Sequence, residues 1–284
     1  MSVNEETAQM NGRETTDAKC GVPIAIRRVV KIFGEDGDHP FRALKEVSVD
    51  IDAGEFVSVV GPSGCGKSTL MLMVAGLLER SRGDIAIAGK PVTKPITDVG
   101  IAFQDHLLLE FRTALGNVTL HADIRKLPKK KIEARATELF EQLRLTAAMQ
   151  KYPRQLSGGM RQRVSLIRTL VHDPPLLLMD EPFGALDALT RLQVRTDLEA
   201  LWLRRRPTVL FITHSVEEAV GLSDRILVMS PSPGEVVEEI AVDIPRPRPI
   251  VLGDVPQFSK YVDRIHRHFE RLGVLHGLDT RSAH

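Results

Sequence analysis

The amino-acid sequence predicts an α/β fold in which helices cover both faces of a mostly parallel sheet. Three apolar runs, at residues 176–179, 209–213 and 226–229, are continuous rather than alternating. Such runs are typical of strands that are buried on both faces. A fourth run, at residues 55–60, leads directly into a glycine-rich loop and then into helical spacing. At 284 residues the chain is long enough to bury a core of this kind.

The N-terminal part of the chain predicts a smaller antiparallel β layer. Residues 24–30 have the composition of a strand, and Val47, Val49 and Ile51 alternate with polar residues as in a half-buried strand. Turn residues at 36–38 separate the two segments, which favours a hairpin-like connection. Residues 1–20 are polar, and we expect them to form a disordered tail.

After the glycine-rich loop, apolar residues at Leu70, Met73, Val74 and Leu77 predict a helix that ends before Gly83. A helical subdomain is then expected at about residues 105–172, inserted into the α/β core. Its apolar residues follow helical spacing at Ile132, Ala136, Leu139, Phe140 and Leu143. A run of lysines, Lys129-Lys130-Lys131, precedes them, and we expect it to form a solvated face.

The core domain is predicted to span residues 21–244, and residues 245–284 are predicted to form a connector and a helix. Pro245, Pro247 and Pro249 favour an extended connector. Apolar residues at helical spacing then predict a terminal helix that begins near Pro256 and ends before Gly273.

The composition argues against two classes of protein, namely those that attract nucleic acid through a high positive charge and those that span the membrane. Lys and Arg number 38 against 37 Asp and Glu, so the net charge is +1 and no global field attracts nucleic acid. No run of about 18 apolar residues occurs, so the sequence predicts no membrane-spanning helix.

The glycine-rich loop carries the most specific motif for phosphate binding. It matches G-x-x-x-x-G-K-[ST] between a strand and a helix, and reads Gly61-Pro62-Ser63-Gly64-Cys65-Gly66-Lys67-Ser68-Thr69. Glycines let successive backbone N–H groups surround a phosphate, and the helix N-terminus adds partial positive charge. Lys67 supplies a point charge for the β- and γ-phosphates of ATP, and Ser68 supplies a hydroxyl ligand for Mg²⁺.

Polar side chains at three other predicted strand ends complete a nucleotide site. Asp180 ends the apolar run at 176–179 and is predicted to hold the Mg²⁺ ion through its water shell, while Glu181 is predicted to polarise the attacking water. His214 follows the run at 209–213 and is expected to contact the γ-phosphate. Gln104 follows a strand at 99–103 and is expected to sense Mg²⁺ or the water.

A second glycine pair, Ser157-Gly158-Gly159, opens the predicted helix at 160–170. Ser157 and the two glycine amides form an N-terminal anion site, which a second copy of the chain could present to the nucleotide held by Lys67. Two such sites would then be shared in a head-to-tail dimer. An ordinary serine N-cap is the alternative reading of the same residues.

In this order, the motifs resemble those of the ATP-binding subunits of ABC transporters. The resemblance covers about residues 24–240 and identifies the Walker A loop at 61–69, the Q-loop Gln104, the signature at 156–160, Walker B at Asp180, and the switch His214. It also implies that Asp187 in the D-loop lies at the shared nucleotide site. Residues 30–34 are similar to the adenine-stacking loop, which implies that Phe33 stacks on adenine; Phe41 is the rival.

A finer resemblance points to the nitrate, sulfonate and taurine import branch. It rests on residues 229–235, 243–248 and 112–118. That branch usually carries Leu-Pro-Trp where Leu109-Glu110-Phe111 stands here, and Gly116 replaces a residue that is usually polar.

The resemblance implies a homodimer that binds ATP and Mg²⁺ and pairs with integral-membrane permease subunits. A periplasmic or surface solute-binding protein is an indirect partner, and nucleic acid is not expected. The chain would then lie peripherally on the cytoplasmic face of the inner membrane. A soluble ABC ATPase acting on nucleic acid or ribosomes is the alternative, although such proteins usually carry two cassettes or a long coiled coil. A regulatory module without turnover would require the loss of Glu181 or His214, and both are present.

Overall fold

The computed structural model describes residues 20–253 and 255–275, so all but Cys20 of the predicted tail lies outside the described residues. The strands are β1 (Ile24–Phe33), β2 (Phe41–Ile51), β3 (Phe56–Val60), β4 (Arg82–Ile87), β5 (Lys90–Pro91), β6 (Gly100–Ala102), β7 (Leu176–Asp180), β8 (Thr208–Thr213), β9 (Arg225–Met229) and β10 (Val236–Ala241). The α-helices are α1 (Lys67–Val74), α2 (Ala114–Val118), α3 (Leu120–Arg125), α4 (Lys129–Gln142), α5 (Gly158–Leu170), α6 (Ala188–Arg205), α7 (Val216–Leu222) and α8 (Pro256–Arg271).

The larger sheet confirms the predicted α/β class. Its six strands lie in the order β10-β9-β3-β8-β7-β6, and all neighbours except β10 and β9 pair in parallel. Every residue of β3 and β8 is buried, as their largely apolar sequences predict. One hydrophobic cluster on this sheet includes α1 and another includes α6, so helices pack on the sheet as the sequence indicates.

The smaller sheet is antiparallel, with the order β2-β1-β4-β5. The first strand extends to Phe33, three residues beyond the predicted segment, because its end pairs with the start of β2 at Phe41. Sequence patterns did not predict β4, whose residues Gly83 and Asp84 are unfavourable in strands. Gly83 has φ +82°, and a Cβ atom there would lie 2.2 Å from the carbonyl oxygen of Arg28. The close approach of the two backbones therefore requires glycine in this strand.

The helix after the glycine-rich loop is shorter than the apolar spacing predicts. It ends at Val74, and Gly76 follows with φ +70°. A Cβ atom at Gly76 would lie 2.2 Å from the carbonyl oxygen of Lys94, so the chain turns there against another loop. Leu77, predicted on the buried face, lies beyond the helix and is 50% exposed.

Helices α2 to α5 form the inserted helical subdomain around a hydrophobic cluster of their own. Ala136, Leu139 and Phe140 of α4 are fully buried and share this cluster with Val164 and Ile167 of α5. The insertion thus carries its own core beside the two sheets. Its lysine run lies on the exposed face of α4, as predicted.

The predicted proline-rich connector is bound to the core through two arginines. Arg246 donates to Glu199 Oε1 at 2.7 Å, and its guanidinium carbon lies 4.5 Å from the centre of the Trp202 ring. The backbone N–H of Arg248 donates to Glu199 Oε2 at 3.0 Å. Burial lowers the pKa of Arg248 to about 10, and its guanidinium donates to the carbonyl oxygens of Val220 and Ser223. A single buried carboxylate, Glu199, therefore bridges α6 and the connector.

We expect Glu199→Gln to lower the free energy of unfolding by about 2 kcal/mol, because Arg246 loses one of its two carboxylate partners and keeps only Asp224. Urea denaturation followed by circular dichroism measures the change. Glu141→Gln, on the exposed side of α4, is the control and should change it by less than about 0.5 kcal/mol. Equal stability of the two variants would contradict a structural role for this ion pair.

Candidate functional site

The glycine-rich loop joins β3 to α1 and encloses the ammonium group of Lys67. Its Nζ atom donates to the carbonyl oxygens of Gly61 and Pro62, both at 2.9 Å, and the residue is only 5% exposed. Gly66 has φ +97°, and a Cβ atom there would lie 2.6 Å from Leu44 Cδ2. Packing against β2 and the backbone conformation both require glycine at this position. The path of the loop is thus constrained by the hydrogen bonds of Lys67 and by the packing of Gly66 against β2.

Ser68 and Asp180 are 112 residues apart in sequence and in direct contact in the fold. Ser68 Oγ donates to Asp180 Oδ1 at 2.9 Å. Burial raises the pKa of Asp180, and the hydrogen bond from Ser68 opposes part of that rise. A half-buried carboxylate beside a hydroxyl is a pair of hard oxygen donors, which is the chemistry that Mg²⁺ prefers.

Glu181 and His214 form a second pair at the same edge of the sheet. Their strands, β7 and β8, are parallel neighbours, so both residues follow the carboxyl ends of adjacent strands. His214 Nδ1 lies 3.0 Å from Glu181 Oε2. The backbone N–H of Glu181 donates to Ile212 O, and its φ of +45° is a strained conformation for a residue with a side chain. The backbone turn directs the carboxylate of Glu181 toward His214.

Glu218, which sequence reasoning missed, holds the segment that carries His214. Its carboxylate is buried and accepts from Thr213 Oγ1 at 2.6 Å, while the same hydroxyl accepts from Ser215 N at 3.0 Å. Burial raises the pKa of Glu218. The signal in the sequence is the spacing of Ser215 and Glu218, which is typical of a helix N-terminus. Here the carboxylate of Glu218 accepts a hydrogen bond from Thr213 at the end of β8 instead of bonding the backbone of the N-cap residue.

A cavity of about 360 Å³ brings about half of the predicted site residues together, but Asp180 and His214 do not line it. Its lining residues are Phe33, Phe41, Ala43, Ser63, Gly64, Gly66, Lys67, Ser68, Thr69, Gln104 and Glu181. The loop residues Gly61, Pro62 and Cys65 do not line it, and Cys65 is fully buried behind the loop. Phosphate-binding groups and a predicted catalytic carboxylate thus share one opening.

Both aromatic candidates for adenine stacking lie at this cavity. Phe33 and Phe41 are direct cross-strand partners at the ends of β1 and β2, and they are 40% and 54% exposed. Lys31 Nζ lies 4.9 Å from the centre of the Phe33 ring. The strand pairing therefore makes Phe33 and Phe41 neighbours, and a planar base has two exposed rings available to it.

The second glycine pair does not line the cavity of its own chain. Ser157 caps α5, and its Oγ accepts from Met160 N at 3.3 Å. Asp187 caps α6 in the same way, and hydrogen bonds from Thr190 lower the pKa of its carboxyl group. A Cβ atom at Gly159 would lie 3.0 Å from Thr190 Cγ2, so the two caps pack close together. Ser157, Gly158, Gly159 and Asp187 therefore do not line the cavity that Lys67 lines.

Within residues 20–253 and 255–275, no group of three or more His, Cys, Asp or Glu residues is placed to hold a metal ion. Mg²⁺ in nucleotide sites needs only one or two carboxylates, because phosphates and water complete its shell. Ser68 and Asp180 satisfy that requirement.

Comparison with known proteins agrees with the geometry. A family model described as ABC transporter matches residues 44–184. A putative ATP-binding protein from Brucella abortus is 43% identical and covers 85% of this chain and 91% of its own length. An aliphatic sulfonates import ATP-binding protein from Bacillus cereus is 38% identical and covers 89% of this chain and 98% of its own length. This relative agrees with the branch that the sequence motifs indicate.

Solved structures show the same fold. A dimeric post-hydrolysis structure of an ATP-binding cassette bound to ADP and Pi superimposes with a TM-score of 0.69. It is 31% identical in sequence and covers 77% of this chain and 98% of its own. The chain therefore belongs to the ATP-binding proteins of ABC transporters, and it is an ATPase.

Proposed function

We propose that two copies of this chain close head-to-tail on two MgATP molecules and drive import of a small anion or sulfonate-like solute through a separate permease. The observation that carries the proposal is the pairing of Glu181 with His214 at 3.0 Å, beside the Ser68–Asp180 pair. These four groups meet at one edge of the sheet, next to the loop that holds Lys67. Their arrangement fits in-line attack of water on a γ-phosphate.

Each residue has a chemical role in this proposal. Ser68 and Asp180 would hold Mg²⁺, which neutralises phosphate charge when bound. Glu181 orients the attacking water and accepts its proton, while His214 fixes the Glu181 carboxylate and contacts the γ-phosphate. Gln104 lines the same cavity, and in the proposal it responds to the bound ion or water.

Dimerisation follows from the position of the second glycine pair. Ser157 is exposed and its Oγ caps α5, so the hydroxyl donor of Ser157 is accessible to a partner molecule. A head-to-tail pair would place Ser157, Gly158, Gly159 and Asp187 against the nucleotide held by Lys67 of the other copy. The related cassette that was solved with ADP and Pi is itself dimeric.

An exposed apolar groove supports a permease partner. The groove has a volume of about 400 Å³, and it is defined by Phe103, Leu107, Leu120 and Ile124 together with Arg168 at its edge. Leu107 is 54% exposed and Ile124 is 70% exposed. Apolar side chains exposed together favour contact with another protein. Phe103 lines the groove, and the next residue, Gln104, lines the nucleotide cavity. A partner bound in the groove would therefore lie next to the nucleotide site.

Import through partner subunits also fits the rest of the molecule. No described helix is both long enough and apolar enough to cross a membrane. We infer that the chain lies peripherally at the cytoplasmic face, where ATP is available, and that the permease supplies the pathway. A solute-binding protein would deliver the solute from the other side. Relatives named for aliphatic sulfonate import support an anionic sulfonate as the solute class.

We expect Glu181→Gln to lower ATP turnover by about a hundredfold or more while ATP binding is retained, because the amide cannot accept the proton from water. Phosphate release measures turnover, and binding of a fluorescent ATP analogue measures affinity. Glu46→Gln, exposed on β2, is the matched control with unchanged turnover. A Glu181→Gln variant with normal turnover would remove Glu181 as the base.

Mixing two defective variants tests the sharing of sites between copies. Lys67→Ala and Ser157→Arg homodimers should each lose about a hundredfold in turnover, because each has lost transition-state contacts at both sites. In a head-to-tail mixed dimer, both changes fall in one site and the other site is intact. Random pairing then restores about a quarter of the wild-type sites. If each chain forms its site alone, every site in the mixture carries one change and phosphate release shows no recovery.

A further inference from the structure

A dense basic patch lies where α3 ends and α4 begins in the helical subdomain. It consists of Arg125, Lys126, Lys129, Lys130 and Lys131, which are five cations within seven residues that contain no acidic side chain. The four lysines are all exposed. Since the whole chain has a net charge of only +1, the patch is a local concentration of charge rather than part of a basic surface.

Few of these cations are neutralised within the described residues. Arg125 pairs with Asp98 at 3.2 Å, and Lys129 lies 4.0 Å from Glu133 in an exposed contact of little energetic value. Among residues 20–253 and 255–275, no carboxylate lies within 4.0 Å of the ammonium groups of Lys126, Lys130 and Lys131. Three exposed lysines within six residues of chain therefore have no carboxylate partner among the described residues.

The local structure gives no reason for three lysines at the start of α4. The first turn of a helix favours acidic residues, because its free N–H groups carry partial positive charge. The first turn of α4 has no acidic residue, and its N-cap, Pro128, makes no side-chain hydrogen bond. The lysines repel one another and the helix dipole. A departure from local preference of this kind is expected where a surface contacts an external partner.

The patch adjoins the exposed apolar groove. Ile124 lines that groove, and Lys126 follows it by two residues at the left-handed end of α3. In the proposed function the groove seats the permease, so the patch would lie beside the permease at the membrane surface. Long lysine side chains reach outward from such a position toward phosphate groups.

We propose that the basic patch binds the anionic phospholipid headgroups of the membrane directly, as a second attachment beside the permease. The proposal rests on the proposed function only for the presence of a membrane at this face. Clustered lysines next to a membrane attract acidic lipids, and the attraction weakens as salt screens the charges. An acidic segment of the permease is the other possible partner for the patch.

The test uses the full-length chain and permease-free vesicles, so its failure leaves the proposed function intact. Co-sedimentation compares vesicles of phosphatidylcholine alone with vesicles that also contain phosphatidylglycerol. We expect the wild type to bind only the anionic vesicles and to be released when salt rises from about 0.1 M to about 1 M. The triple variant Lys126→Gln, Lys130→Gln, Lys131→Gln should lose about tenfold or more in its partition coefficient.

A matched control removes the same charge elsewhere. Lys90→Gln, Lys94→Gln and Lys260→Gln change three exposed lysines outside the patch and should leave vesicle binding at the wild-type level. Basal ATP turnover should be the same in both triple variants, which shows that both are folded. Equal vesicle binding by the two triple variants would overturn the proposal. A second result would also overturn it. If the wild type does not bind anionic vesicles and the patch variant no longer binds the permease in detergent, the patch belongs to the permease interface.

Discussion

Parallel pairing of β3, β8 and β7 is the constraint on which the rest of this structure depends. In a parallel sheet the carboxyl ends of all strands meet at one edge, whatever their separation in sequence. That edge receives the glycine-rich loop after β3, Asp180 and Glu181 at the end of β7, and His214 after β8. Backbone hydrogen bonds between buried strands therefore determine where the chemical groups lie.

Two contacts refine that arrangement. The Ser68–Asp180 hydrogen bond ties the start of α1 to the end of β7, and the Glu218–Thr213 hydrogen bond holds the end of β8. The left-handed backbone at Glu181 then directs its carboxylate toward His214. Strain at one residue is tolerated because the surrounding ladder of the sheet holds it in place. The outcome is a preorganised set of oxygen and nitrogen atoms at one edge of the sheet.

The same topology agrees with the proposal that one chain holds two separate parts of a nucleotide site. Ser157 and Asp187 cap helices that start away from the cavity, and each cap bonds its own helix. The helical subdomain that carries Ser157 has its own hydrophobic core, separate from the clusters on the sheet. Closure of two copies would then connect ATP binding to the groove and to the basic patch on that subdomain.

Motifs contained in one short stretch were predictable from the sequence. The β3–loop–α1 unit is one example, because strand, glycines and helix are all local. The contact between Glu181 and His214 depends on strand order, which no local pattern contains. The position of Leu77 was wrong because Gly76 turns the chain against a distant loop. The choice between Phe33 and Phe41 stayed open for the same reason, since only the register of β1 and β2 places both rings at the cavity.

The structure also contains features that the composition of the sequence does not predict. The connector reads as a simple proline-rich segment, yet Arg246 and Arg248 bind it to the buried carboxylate of Glu199. The sequence predicts that the lysine run forms a solvated helix face, and the exposure of the three lysines agrees with this prediction. Only two observations indicate a partner: no carboxylate among the described residues pairs with Lys126, Lys130 or Lys131, and the apolar groove lies next to them.

The dependence of ATP turnover on protein concentration tests most directly whether this chain carries two half-sites. If each working site needs two copies, the turnover per chain falls as the protein is diluted below the dissociation constant of the dimer. The total rate then rises with the square of the concentration in that range. Turnover per chain that stays constant through dilution, with light scattering showing monomers, would contradict the shared site.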